Sequence, residues 1–138
     1  MTDHHTGGCL CGALRYEFEG EPTYAGFCYC ADCRKASGSG FVPFMGVSAE
    51  AVRFTGEARQ HRARSIRGTA AVRNYCPACG SLVFGGVVGE DSGHTIYAGS
   101  LDDPGVFQPS IAIFTRDRPP WVEVPADLVA FETMPGEG

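Results

Sequence analysis

No apolar run in this sequence approaches the roughly 18 residues that a membrane-spanning helix needs. Its opening stretch, MTDHHTGGC, lacks the charged-then-apolar pattern of a secretory signal, so a cytoplasmic location is expected. A helical period is nowhere sustained, and there is no internal repeat, linker or low-complexity segment. Positive charge is also in short supply. Eleven Lys and Arg face sixteen Asp and Glu, leaving a net charge of −5 and a pI near 5.3. That balance weighs against nucleic acid as the main partner, because phosphate binding needs a basic footprint. Six of the eleven basic residues nevertheless fall between positions 53 and 73: Arg53, Arg59, Arg62, Arg64, Arg67 and Arg73. Such a run reads either as a solvated strand face or as ligands for the carboxylates of a small anionic substrate.

What is present fits one globular domain. The 138 residues are 43% hydrophobic and 20% charged, enough to fold around a single core. The domain is expected to span 1–138, with a core over about 7–125, flexible ends and a frayed MPGEG tail. The pattern is mainly β. In ALRYEFEG, Leu14, Tyr16 and Phe18 alternate with Arg15, Glu17 and Glu19, as in a half-buried strand. FVPFMGVS reads as a strand that Pro43 places at an edge or bulge. AVRFTG, ARQHRARSI and SIAIFT read as further strands, and SLVFGG and HTIYAGSL as a pair joined by the turn-rich VVGEDSG. CADCRKAS and SAEAV can each hold one helical turn. Nineteen glycines and nine prolines suit short antiparallel strands with many turns.

Seven cysteines are an odd number, so no complete disulfide framework closes within the chain. In a reducing compartment, close cysteine pairs point to metal or catalysis. They form three clusters: Cys9-x-Cys11, Cys28-x-Cys30-x2-Cys33 and Cys76-x2-Cys79. A two-residue gap lets both thiolates of a tight turn face one ion, and in CPACG Gly80 permits the positive φ that follows the second ligand. Zinc takes four protein ligands in structural sites and three plus an open position in catalytic ones. Seven divides accordingly, with Cys9, Cys11, Cys76 and Cys79 as a closed set and Cys28, Cys30 and Cys33 as an open one. A rival partition is a ribbon of Cys30, Cys33, Cys76 and Cys79, and spacing alone does not decide between them. Free buried thiols are the remaining reading, but lone core cysteines do not cluster at ligand spacing.

Four stretches in order, GGCLCGALRYEFEG, CYCADCRKASGSGF, VRNYCPACGSLVFGG and IYAGSLDDPGVFQP, resemble the glutathione-dependent formaldehyde-activating enzyme family, also called the centromere-protein-V family. The likeness runs from position 7 to about 109, and PPWVEVP around Trp121 resembles the family's C-terminal segment. The resemblance implies a mainly β fold of the β-tent kind and two zinc ions per chain. One would be structural, on Cys9, Cys11, Cys76 and Cys79; the other would be catalytic, on Cys28, Cys30 and Cys33. One departure is Phe27, where family members often carry a histidine.

The activity the resemblance implies is a carbon–sulfur lyase reaction: addition of glutathione, or a related thiol, to formaldehyde or a similar aldehyde. Three thiolates on a dication leave a net charge of about −1. An incoming thiol at the open position would ionise near neutral pH, against a free cysteine pKa of about 8.5. Arg34 and Lys35 follow the triple cluster and can offset its charge or hold a substrate carboxylate, or simply be solvated. Ser37 and Ser39 can donate to a ligand or form a plain turn. His61 and His94 are candidate acid–base groups or a fourth ligand, although a lone histidine is more often structural. His4 and His5 fall in an expected flexible end, and Asp102 and Asp103 read as turn or helix caps. Two further readings stay open: a non-catalytic zinc-binding module for a small ligand or protein partner, and a chromatin binder. The oligomeric state is open, a homodimer included.

Overall fold

A computed structural model describes residues 3–65 and 68–135. Arg67 of the arginine run and the end of the MPGEG tail lie outside the described residues. In chain order the elements are β1 (His4–Gly8), β2 (Arg15–Glu19), β3 (Tyr24–Cys28), α1 (Ala31–Ser37), β4 (Val42–Ser48), β5 (Val52–Thr55), β6 (Arg59–Arg64), β7 (Ala70–Tyr75), β8 (Leu82–Gly85), β9 (Gly93–Tyr97), β10 (Ile111–Ile113) and β11 (Val129–Ala130), with three short 3-10 turns. The fold is mainly β. A three-stranded sheet has the order β1-β2-β5, and an eight-stranded sheet the order β11-β10-β3-β4-β9-β8-β7-β6.

The alternation in ALRYEFEG does what its period requires. Leu14, Tyr16 and Phe18 are all buried, and they meet Met45, Val47, Val83, Phe84 and Ile96 of the large sheet. Phe54 of β5 stacks on Phe84 of β8 with ring centroids 3.8 Å apart, so the two sheets clasp a common core. Each large apolar side chain buried there contributes roughly 1.5–3 kcal/mol. Two buried polar side chains find partners there: Asn74 donates to the carbonyls of Phe84 and Gly86, and His94 Nδ1 lies 3.0 Å from the Gly85 carbonyl; the buried Tyr29 hydroxyl has no partner among the described residues.

Four expectations need correction. Strand β4 is interior, between β3 and β9, rather than an edge. Pro43 fits because pairing with β9 begins one residue later, at Phe44↔Tyr97, so no ladder bond is lost on that side. Strand β10 runs parallel to β3 and β11, which a chain returning after a long excursion can do and a hairpin cannot. SAEAV is a turn rather than helix. His4 and His5 belong to β1, which pairs along its length with β2; His4 Nε2 lies 3.0 Å from Glu17 Oε2.

Register decides what the other face of the large sheet presents. Directly paired residues share a face. The pairs Ile111↔Gly26, Gly26↔Phe44, Phe44↔Tyr97, Gly85↔Thr95, Arg73↔Gly85 and His61↔Arg73 therefore line up across seven strands. This face turns away from the shared core and carries the triple-cysteine cluster. Glycine keeps it low: a Cβ on Gly46 would lie 2.3 Å from the Tyr24 ring.

Candidate metal centres

The thiols of Cys9, Cys11, Cys76 and Cys79 all lie within 4.8 Å of one another, and so, separately, do those of Cys28, Cys30 and Cys33. The ribbon pairing of Cys30 and Cys33 with Cys76 and Cys79 does not occur. No other His, Cys, Asp or Glu among the described residues joins either group. Both donor sets suit a soft or borderline ion, and zinc fits the coordination numbers.

The first group is assembled from two turns. Cys9 and Cys11 leave β1, while Cys76 and Cys79 form the turn between β7 and β8, where Gly80 takes φ +77° and its N–H donates to the Cys76 carbonyl. Cys11 Sγ lies 3.7 Å from Cys9 Sγ and 3.8 Å from Cys76 Sγ. The Leu14 amide donates to Cys9 Sγ at 3.3 Å. The Ser81 hydroxyl, 3.1 Å away, with the amides of Ser81 and Cys11, holds the Cys79 thiol down to about 5. Cys11 is lowered by the Ala13 amide but pushed up to about 11 overall, chiefly by Cys9. Four sulfurs this close cannot all ionise without a cation among them.

The second group is local. Cys28 ends β3, Cys30 caps α1 and Cys33 lies in its first turn; the Cys33 amide donates to Cys30 Sγ at 3.2 Å. Cys28 and Cys30 are buried and Cys33 half-buried. Its neighbours Cys28 and Cys33, helped by the amides of Cys33 and Asp32, hold Cys30 down to about 3 against burial. Cys33 is lowered by Cys28 yet pushed up to about 11 by Cys30 and burial. Cys28 is pushed up further, by Cys30 first.

The trio opens into a cavity of about 530 Å³. Its walls are mostly apolar, with Val42, Phe44, Ile111, Ile113 and Phe114 prominent, and Arg73, Thr95 and Tyr97 supply polar groups. Burial pushes the Tyr97 phenol up to about 12, so it stays a hydrogen-bond donor at neutral pH. Phe114 holds φ +55°, the one non-glycine positive φ among the described residues, an arrangement that costs about 1–3 kcal/mol and persists only where packing imposes it. A second depression, of about 460 Å³, adjoins the first through Asp32 and Arg73 and is lined by Lys35, His61, Arg64 and Tyr75.

The remaining sequence candidates separate. Lys35 and His61 line the second depression, whereas Arg34 lines neither. The Ser37 hydroxyl donates to the Cys33 carbonyl at 2.7 Å and accepts from the Ser39 amide at 3.1 Å, so it closes the end of α1. His94 packs edge-on against Phe54 and Phe84 in the shared core, so it is not a metal ligand. Asp103 caps a 3-10 turn by accepting from the Gly105 amide. Asp102 does not cap; it pairs with Arg15 and accepts from the Thr6 hydroxyl at 2.7 Å. Phe27 packs against Phe41 and Phe107, an apolar contact that leaves no polar role there. The arginine run divides: Arg53 faces Glu17 at 3.6 Å on the small sheet, Arg59, Arg62 and Arg64 lie on edge strand β6, and Arg73 faces the cavity. Tyr97 and Thr95 were missed by sequence reasoning, although their alternation in HTIYAG marks them as sharing a face.

The sequence model of the glutathione-dependent formaldehyde-activating enzymes matches residues 4–117. The chain belongs to that family. A comparison with curated proteins finds no match. Among solved structures, the chain is similar to a crystal structure of a Rhodobacter sphaeroides protein, with a TM-score of 0.51 and 20% identity over 70% of this chain and 87% of that one. At that identity the likeness concerns the fold alone. Membership in the glutathione-dependent formaldehyde-activating family accords with two cysteine clusters able to bind metal ions and with a small thiol as reactant. No helix among the described residues is long and apolar enough to cross a membrane.

Proposed function

We propose that this protein is a zinc-dependent carbon–sulfur lyase-type enzyme that joins glutathione, or a related thiol, to formaldehyde or a similar aldehyde, in the manner of an S-(hydroxymethyl)glutathione synthase. We read the whole chain as one cytoplasmic domain of the β-tent kind with two zinc ions, one held by Cys9, Cys11, Cys76 and Cys79, the other by Cys28, Cys30 and Cys33. The observation that carries this reading is the contrast in ligand number: four thiols close one cluster, while three thiols that no fourth ligand among the described residues joins open into a cavity.

A zinc ion on three thiolates would supply an open position that favours the ionised form of an incoming thiol. The chain's own residues supply the rest. Arg73 brings positive charge to the thiol cluster, lowering Cys33, and offsets the negative charge that collects there. Tyr97 offers a phenolic proton to the carbonyl oxygen as it gains charge. The apolar walls exclude water from the reacting carbon once a substrate fills the cavity.

Because formaldehyde adds to thiols unaided, the test is a rate. Exchange NMR on glutathione and formaldehyde should show acceleration by zinc-loaded protein, abolished in Cys30→Ser with the fold retained. A rate equal to the uncatalysed one, with formaldehyde and with larger aldehydes alike, would leave a zinc module that binds a ligand without turning it over.

A further inference from the structure

Resting on that reading, we propose that the site is built for a thiol adduct of an apolar carbonyl compound, with the apolar substituent in the cavity beside the three cysteines and the thiol's carboxylate in the basic depression across Arg73.

Size is the first argument. Formaldehyde has two heavy atoms and needs roughly 60 Å³, at about 30 Å³ for each water-sized unit. The cavity holds about 530 Å³, within the range of small-molecule sites. Formaldehyde alone would leave most of it filled with water against Val42, Phe44, Ile111 and Phe114.

Polarity is the second. The body of glutathione carries two carboxylates, an ammonium and two amides, and would lose its hydration against those walls without compensating partners. It does not belong in the apolar cavity. The adjoining depression suits it better, because three cations, Lys35, Arg64 and Arg73, line it with His61 against a single carboxylate, Asp32. None of the three cations forms an ion pair among the described residues; Arg64 donates only to the Gly68 carbonyl at 3.4 Å. Carboxylates recruited there gain charge-assisted bonds.

Continuity is the third. Arg73 and Asp32 line both spaces, and register places Arg73 on the same face as Tyr97 and the cavity floor. One molecule can thus present an apolar group on one side of the thiols and an anionic group on the other. The reaction balances without an oxidant or reductant. A carbon–sulfur bond forms, the carbonyl π bond breaks, and the thiol proton ends on the new hydroxyl.

Two thioethers that cannot react give a direct test: S-methylglutathione and S-hexylglutathione, titrated calorimetrically into zinc-loaded protein. The hexyl compound should bind about tenfold or more tightly, because its chain leaves water for the apolar walls. Ile111→Thr, which keeps the branch at Cβ but replaces the ethyl group on the wall with a hydroxyl, should narrow the hexyl-over-methyl preference at least about fivefold. Arg73→Gln should weaken both compounds by a similar factor of about ten. Equal affinity for the two thioethers, in a protein that accelerates the glutathione–formaldehyde exchange, would overturn this inference and leave the proposed activity standing. Failure of both to bind, with no acceleration for any aldehyde, would remove the activity and the inference together.

Discussion

The two cysteine clusters use the same ligand atom in opposite settings. The four-thiol cluster joins positions 65 residues apart in sequence. Its sulfurs accept from the Leu14 amide and sit beside the Ser81 hydroxyl, and none of its thiols lines the cavity or the adjoining depression. The three-thiol cluster spans six residues, needs only the end of one strand and the first turn of one helix, and opens into a large cavity. A cluster that fastens distant segments contributes to folding, because an ion bound there exists only when both segments are in place. One held by contiguous residues fastens little, and its ligands are free to serve chemistry.

The largest effect should come from Cys76→Ser, since structural metal sites contribute on the order of 10 kcal/mol to folding and Cys76 is fully buried. Thermal unfolding should show Tm lowered by more than about 15 °C, with one equivalent of metal lost. Cys30→Ser should cost only about 1 kcal/mol, because serine can still cap α1, while metal content falls by one equivalent and turnover drops at least about a hundredfold. If the two variants melted alike, the division of labour between the clusters would be broken.

Arg73→Gln sharpens the comparison further. Arg73 adjoins the three-thiol cluster only, so kcat/KM should fall about tenfold with Tm and metal content unchanged. A drop in Tm comparable to that of Cys76→Ser would make Arg73 a structural residue instead.

The smallest effect concerns the scaffold of the closed cluster. Arg15, with help from the Thr6 hydroxyl, holds Asp102 down to about 2. This links β1 and β2, which flank Cys9 and Cys11, to the loop after β9. A depressed folded-state pKa gives stability that is present above the unfolded value, near 3.9, and is lost as pH falls through the folded one. Asp102→Asn should therefore lower Tm slightly and by a constant amount above about pH 4, and the difference should vanish towards pH 2. Both groups are well exposed, so the effect is small. Melting curves of both proteins across that window are the measurement.

Much of this was legible beforehand. Alternation exposed β2, because Leu14, Tyr16 and Phe18 had one face to bury. The apolar run at β4 was legible as a strand but not as an interior one, since a proline signals an edge unless the neighbouring ladder starts just beyond it. Strand β1 was hidden: HHTGG carries no hydrophobic alternation, and it is a strand because β2 offers it a partner. Tyr97 was overlooked because a tyrosine in an apolar strand reads as core until the cavity beside it is known.

By itself the sequence determined the chemistry available: seven soft ligands at chelating spacing, an open trio wound into six residues, and strands that alternate. Those are local properties, set by covalent spacing and by the period of two along an extended chain. Only the tertiary structure decided which distant pair completes Cys9 and Cys11, since two-residue and one-residue gaps look alike wherever they occur. It also decided that Arg73, out of a run of arginines, faces the cavity with Tyr97. Strand register makes that choice, and a slip of one residue would have turned each of them to the opposite face.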